Sequence, residues 1–64
     1  MTLEFARVLR QKLREDMNQT ADALATGSCK SFEDYRHLCG VIQGLAIAER
    51  HLLDLHDAME KADE

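Results

Sequence analysis

Apolar side chains recur at alternating intervals of three and four residues through the second half of the chain. The positions are Leu38, Val41, Leu45, Ala48, Leu52, Leu55 and Met59. This spacing places all of them on one stripe of an α-helix, at the period that lets helices pack along their length. Between residues 40 and 48, Gln43 is the single polar side chain, so apolar surface extends beyond the stripe. We therefore expect this helix to need more cover than one short helix can give.

A second amphipathic pattern fills the first half of the chain. Its inward positions are Ala6, Leu9, Leu13, Met17, Ala21 and Leu24, with Phe5 at one edge. Thr2 suits an N-cap, and Gly27 suits the left-handed residue that follows a helix. Ser31 and Asp34 stand at the spacing of a capping box. The sequence thus predicts one helix over about residues 3–25, a turn over 26–30 and a second helix over about 32–62.

A link this short makes the two helices antiparallel, which is an αα-hairpin. The predicted fold is all-α, a single hairpin over residues 1–64 with the longer helix second. If the turn centres near Ser28, Arg7 lies beside Arg50, and the last two or three turns of the second helix project past the first. We expect another chain to cover the projecting segment from about Leu52 to Met59, either a neighbouring copy or a larger protein.

Charge supports the antiparallel arrangement, within one hairpin or between two. The complementary residues are the basic Arg7, Arg10 and Arg14 and the acidic Asp54 and Asp57. Exposed pairs of this kind contribute only ~0–1 kcal/mol each, so they bias orientation more than they stabilise the fold. The basic face of a neighbouring copy's first helix is accordingly the favoured cover for the projecting segment.

Size and composition indicate a helical chain that assembles. The 64 residues include no proline and three glycines, and a single core of this size seldom supplies more than about 3–5 kcal/mol. A net charge of −4 makes nucleic acid a poor partner, because nucleic-acid affinity rests on basic side chains. We find no signal peptide and no apolar run approaching the ~20 residues of a membrane span. We expect a protein of reducing cytoplasm.

Two flanks border the main stripe of the second helix. One flank holds Tyr35, Ile42, Ala46 and Leu53, and the other holds Gly40, Gly44, Ile47 and His51. The first helix can cover only one of them, and the sequence does not decide which. The remaining flank should meet another chain. The predicted interface residues are Tyr35, Gly40, Ile42, Gly44, Ile47, Ala48, His51, Leu52, Leu55 and Met59.

The two mid-helix glycines need an explanation, since each costs ~1 kcal/mol relative to alanine. Removing side chains lets another backbone approach closely. Gly40 and Gly44 therefore predict close packing, either against the first helix or against another chain.

No set of residues predicts catalysis or a cofactor. Cys29, His37 and Cys39 lie close in sequence, but zinc sites normally need four ligands at recognisable spacings. Glu49 and His56 border the main stripe; they could form a catalytic pair, and we favour an inter-helix polar contact that fixes register. We expect no enzyme activity, no metal and no cofactor.

One resemblance covers most of the chain, from Phe5 to about Leu55. The pattern FARVLRQKLRED…ATGSCKSFEDYRHLCGVIQGLAIAERHLLDL resembles a group of short helical proteins of tailed bacteriophages. The shared features are a basic amphipathic first helix, a turn with Gly and Cys, an F-E-D-Y helix start and a C-G-x-I-x-G-L segment. The resemblance implies phage origin and an all-α hairpin, and it supplies no functional residue.

Two functions follow as expectations. The first is a structural or interaction subunit that packs on itself or on a larger head, portal or tail protein of the virion. The alternative is a regulatory protein that binds and inhibits a host protein. Both place the chain in the host bacterial cytoplasm, and the first also places it in the particle.

Overall fold

Two antiparallel α-helices make up the computed structural model, which describes residues 2–62. Helix α1 spans Leu3–Ala25 and helix α2 spans Phe32–Ala62. They pack side by side in a hairpin measuring 51 × 16 × 13 Å. This confirms the predicted all-α hairpin with its longer second helix. Within residues 2–62, neither helix has the length and apolarity required to cross a membrane.

Hydroxyl side chains cap the start of both helices. The Thr2 Oγ1 accepts a hydrogen bond from the Phe5 backbone N–H at 3.1 Å. In the same way, the Ser31 Oγ accepts from the Asp34 backbone N–H at 3.1 Å. Each bond satisfies one of the backbone donors that a helix start leaves without an internal partner. The two cap residues therefore set where the helices begin.

A glycine in the left-handed conformation ends α1. Gly27 has φ +76°, and its N–H donates to the Leu24 carbonyl oxygen at 3.3 Å. The Ser28 N–H donates to the Ala23 carbonyl oxygen at 3.1 Å. This pair of bonds is a Schellman motif, which favours glycine because a side chain is strained at positive φ. The chain is thereby turned out of α1 and into the link.

The buried stripe of α2 is rotated from the predicted one. Its buried and half-buried residues are Leu38, Cys39, Val41, Ile42, Leu45, Glu49, Leu52, Leu53 and His56. Ala48, Leu55 and Met59, which the sequence assigned to the main stripe, are exposed. A straight helix drifts by ~20° per heptad from a strict seven-residue repeat, so a stripe of that period turns away from a straight partner.

The stripe of α1 differs from the predicted one at its two borders. Ala6 is buried, and Leu13, Met17 and Leu24 are half-buried, as predicted. Leu9 and Ala21 are exposed, whereas Thr20 is half-buried. Leu9 and Ala21 border the stripe on opposite sides, so α1 shows no single sense of rotation, unlike α2.

The register differs by about one turn from the predicted one. Arg14 of α1 bonds Glu49 of α2, and Arg7 lines a cavity with Leu53 and His56, not with Arg50. Helix α2 begins about one turn beyond the end of α1, because the link after the Schellman motif continues outward before α2 starts. The extra length of α2 is thus divided between both ends of the hairpin.

This register corrects the expectation that Leu52 lies in a projecting segment. Leu52 is only 6% exposed and lines the same cavity as Ala6 of α1. Its cover is α1 of the same chain. Leu55 at 59% and Met59 at 41% exposure lie open in the single chain, and their cover by another chain stays a prediction. The part of α2 that extends past α1 begins near residue 58.

Candidate interaction surface

One broad face of the hairpin is closed by charged side chains. The Arg14 Nε donates to Glu49 Oε2 at 2.5 Å, and Arg14 Nη2 donates to Glu49 Oε1 at 2.8 Å. The Arg10 Nε lies 3.6 Å from the same Oε2. Glu49 is 8% exposed, so this carboxylate is removed from water and compensated by two guanidinium groups. We call this side the charged face.

The charged face identifies the role of Glu49. The sequence favoured an inter-helix polar contact over a catalytic pair with His56. Glu49 makes that contact, with arginines of α1 as its partners, while His56 Nε2 lies 3.5 Å from Glu60 Oε1. Paired charges of this type fix one alignment of two helices more than they add stability. The Arg14–Glu49 bond therefore defines the register.

A cavity of about 230 Å³ opens on the same face near the free end of the hairpin. It is lined by Leu3, Ala6, Arg7, Arg10, Leu52, Leu53 and His56. Its volume is below the roughly 300–1,000 Å³ of small-molecule sites. Its floor is apolar, and its rim carries two arginines. We interpret it as a groove between the two helices at the place where their surfaces separate.

The predicted charge-complementary residues are only partly brought together. Arg10 and Arg14 face Glu49, and Arg7 pairs with Glu4 of its own helix at 2.6 Å. Among residues 2–62, Asp54 and Asp57 have no ion-pair partner. The basic cluster is therefore already compensated within the hairpin, which removes the reason for it to attract the acidic end of a neighbouring copy.

The opposite broad face is apolar and uncovered. The flank of α1 turned away from Arg10 and Arg14 presents Phe5, Val8 and Leu9, and Phe5 is 59% exposed. The corresponding flank of α2 contributes Gly40, Gly44, Ile47, Ala48, His51, Leu55 and Met59, all exposed. Helical spacing puts these two sets on the same side of the hairpin. We call this side the open face.

Fixed charge is nearly absent from the open face. Between residues 37 and 62, no Asp, Glu, Lys or Arg falls on this flank of α2. On α1 the fixed charges nearest to Phe5 are Lys12 and Asp16, one turn apart on the same side of the helix as Phe5. A surface that is apolar, contiguous and poor in charge is typical of a protein interaction site.

The two mid-helix glycines lie on the open face. A Cβ atom added at Gly40 or Gly44 would meet no described atom within 4 Å, apart from the helix's own backbone. This excludes the interpretation in which the glycines make room for α1. Inter-chain packing, the other reason considered for glycine at these positions, stays a prediction.

The predicted interface residues therefore fall into two groups. Gly40, Gly44, Ile47, Ala48, His51, Leu55 and Met59 lie together on the open face, whereas Ile42 and Leu52 pack toward α1 and Tyr35 lies on the charged side. Sequence reasoning missed Phe5, Val8 and Leu9 of α1 as members of the same face. Phe5 was placed at the edge of the inward stripe and Leu9 within it, and the signal for the face was that Phe5 and Val8 continue the apolar surface beyond that stripe.

Exposed aromatic rings mark the link end of the charged face. Phe32 and Tyr35 stack with ring centroids 6.2 Å apart and an interplanar angle of 24°. A hydrogen bond with the Cys39 thiol raises the pKa of Tyr35 from its ordinary value of 10.0. The pair is part of the turn of α2 that extends beyond α1.

Possible metal ligands gather at one place within residues 2–62. The donor atoms of His56, Asp57 and Glu60 lie within 4.8 Å of one another on one turn of α2. Sequence reasoning weighed His56 with Glu49 and missed this group. Three donors, two of them on exposed side chains, fall short of the four ligands that hold a structural zinc ion. Cys29 and Cys39 are free thiols.

Comparisons with family models, with curated proteins and with solved structures return no match to this chain.

Proposed function

We propose that the protein is a small interaction subunit of a tailed-phage particle, which packs through the open face on itself or on a larger head, portal or tail protein. The observation that carries the proposal is the unpartnered flank of α2. Ile47 and Leu55 are 58% and 59% exposed, whereas Ile42 and Leu53 on the other flank are half-buried against α1. The phage setting rests on the sequence resemblance from Phe5 to Leu55.

The way in which the hairpin folds supports an interaction role. Rotating α2 toward its open flank would bury Ala48 and Leu55 and return the Glu49 carboxylate to water. The chain instead buries the charged group and leaves the apolar ones outside. Removing a charge from water is unfavourable, and an unpaired apolar surface forgoes roughly 25 cal/mol per Å². A partner that covers the open flank explains both why the carboxylate is buried and why the apolar side chains remain exposed.

No chemistry competes with this function in the part of the chain that the structure describes. The one cavity of note is small, its titratable lining groups are two arginines and a histidine, and no nucleophile stands beside a base there. The proposal accordingly includes no catalytic step and no cofactor. The proposed location is the host bacterial cytoplasm during infection and the particle after assembly.

The test is quantitative mass spectrometry of purified phage particles. We expect peptides of this chain at a fixed copy number relative to the major head protein. Gly44→Leu should lower that copy number, since a bulky side chain would obstruct the open face. Gln43→Leu is the matched control, because Gln43 points away from both faces and should leave incorporation unchanged.

A different result would identify the alternative function. Absence from particles, together with stoichiometric capture of one host protein from infected cells, would contradict the particle role. It would assign the open face to inhibition of that host protein.

A further inference from the structure

We propose that the open face binds a second copy of this chain, with α1 against α1 and α2 against α2 in antiparallel orientation about a two-fold axis. The product is a four-helix bundle. This inference rests on the proposed function and names the first occupant of the surface. It commits to a register in which residues 12 and 16 of α1, and residues 44 and 48 of α2, lie on either side of the axis.

The surface area of the chain matches what such a dimer needs. The accessible surface is 5158 Å², whereas a folded monomer of 7.3 kDa is expected to expose about 4,200 Å². The excess of about 1,000 Å² is close to the ~800 Å² that each partner buries in a standard interface. The radius of gyration is 15.0 Å, whereas a compact chain of this length has about 11 Å. The open shape of the hairpin explains both differences. The hairpin is a single layer, and globular folds are built from two layers.

Steric complementarity selects the antiparallel orientation. Large side chains occupy the half of the open face near the free end: Phe5, Leu9, Ile47, His51 and Leu55. The half near the link carries the small residues Ala23 on α1 and Gly40 and Gly44 on α2, together with the larger His37, which lies five turns before Leu55. An antiparallel second copy sets large against small, with Phe5 over Ala23 and His51 over Gly40. A parallel copy would set large against large and leave a void between the glycines.

Charge complementarity selects the same register. Lys12 and Asp16 are the fixed charges of α1 on this face, and neither forms an ion pair among residues 2–62. In an antiparallel pair centred between them, Lys12 of each copy faces Asp16 of the other. Two such pairs form per dimer along the seam between the two α1 helices, where they orient the partners more than they add affinity.

The two-fold axis can pass both helices at the same level along the hairpin. On α1 it passes near residue 14, between Lys12 and Asp16. The cavity lining sets Ala6 and Arg7 beside Leu52 and Leu53. Counting 1.5 Å per residue from that alignment, the height corresponds to roughly residue 46 of α2. Gly44 and Ala48 flank this position. The two α2 backbones would then approach most closely where the side chains are smallest, as in small-xxx-small contacts.

The first experiment measures the mass of the full chain by sedimentation equilibrium over a range of concentrations. We expect a reversible dimer of twice 7.3 kDa. Gly44→Leu should raise the dissociation constant by at least about tenfold, because the substitution overpacks the contact in both copies. Gln43→Leu, one residue away and facing solvent, should change it less than about twofold. Circular dichroism of both variants verifies that the helices persist.

The second experiment tests the register by exchanging charges between copies at low salt. Lys12→Asp and Asp16→Lys should each weaken self-association. An equimolar mixture of the two variants should form heterodimers at least about threefold tighter than either homodimer, because every facing pair then has opposite signs. A Lys–Asp interaction confined to one helix would give no such preference.

Three results would overturn the proposal. They are a monomer at hundreds of micromolar, a dimer indifferent to Gly44→Leu, and a mixture without heterodimer preference. None of them removes the proposed function, since a monomer that is incorporated into particles still binds a larger protein there. Conversely, a dimer absent from particles contradicts the proposed function and leaves this inference standing.

Discussion

The two flanks of α2 have similar apolar content, but only one of them turns toward α1. Ile42 and Leu53 turn toward α1 together with Glu49, whereas Ile47 and Leu55 remain in solvent. Apolar content alone therefore does not determine which flank of α2 packs against α1. The difference between the flanks is one carboxylate, which lies on the flank that Arg10 and Arg14 can reach, and we infer that it selects that flank.

This comparison teaches that a polar contact can determine which apolar surface a helical protein keeps for assembly. The Arg14–Glu49 bond adds little net stability, because the arginine is half exposed and its partner loses hydration. Its effect is on orientation. By holding the charged face closed, it leaves the open face continuous and nearly free of charge.

The largest expected difference between the flanks concerns two leucines one turn apart. Leu52→Ala should lower the free energy of unfolding by about 2–3 kcal/mol, since Leu52 is buried against α1. Leu55→Ala should lower the stability of the hairpin by less than about 0.5 kcal/mol, because Leu55 is exposed. Urea unfolding at a fixed chain concentration measures both effects. An equal loss in the two variants would mean that the flanks are not distinct.

Breaking the charged face should have the next largest effect. Glu49→Gln removes the charge that two arginines share and should cost about 1–2 kcal/mol, a range reduced for the partial exposure of the arginines. Glu60→Gln is the matched control, because Glu60 is exposed and should change stability by less than about 0.5 kcal/mol. Thermal unfolding compares them. If Glu49→Gln were as neutral as its control, the carboxylate would not be what aligns the helices.

Substitutions at two glycines should change the stability of the hairpin by smaller amounts. Gly27→Ala should cost about 1 kcal/mol, since φ is positive there. Gly44→Ala should instead stabilise the hairpin by up to about 1 kcal/mol, because the added Cβ meets open space and alanine favours helix. Unfolding at the lowest measurable chain concentration separates this gain from any loss of association. Destabilisation by Gly44→Ala in that regime would place Gly44 inside the hairpin.

The smallest effect should come from the two thiols. The double variant Cys29→Ser and Cys39→Ala should retain its helicity and lose less than about 1 kcal/mol, because both side chains are only half-buried and free. Circular dichroism and metal analysis of the purified chain check this. Stoichiometric zinc in the unmodified protein, or unfolding of the variant, would assign the cysteines a structural role.

Much of the local structure could be predicted from the sequence. Thr2, Ser31 and Gly27 act through bonds to residues three to five positions away, so the helix ends follow from local chemistry. The antiparallel hairpin follows from the short link. The excess apolar surface on α2 could also be predicted from the sequence, because it depends only on the number of polar side chains between residues 40 and 48.

The membership of the open face could not be predicted in full. The buried stripe follows a straight helix and not the strict repeat, so Ala48 and Leu55 turn outward while Glu49 and His56 turn inward. The register depends on how far the link continues before α2 begins, which displaced Arg7 by about one turn. A displacement of one turn moved Leu52 from the expected projecting segment to the core.

By itself, the sequence determined two helices, their ends, their antiparallel order and the need for more cover than one helix gives. Each of these depends on contacts within a few residues or on a count of apolar positions. Only the tertiary structure decided which flank α1 covers, the register and the joining of Phe5, Val8 and Leu9 to the open flank of α2. Those features depend on the rotation of each helix about its axis. The polar contact that accompanies this rotation joins residues 35 positions apart, Arg14 and Glu49, and no local pattern encodes it.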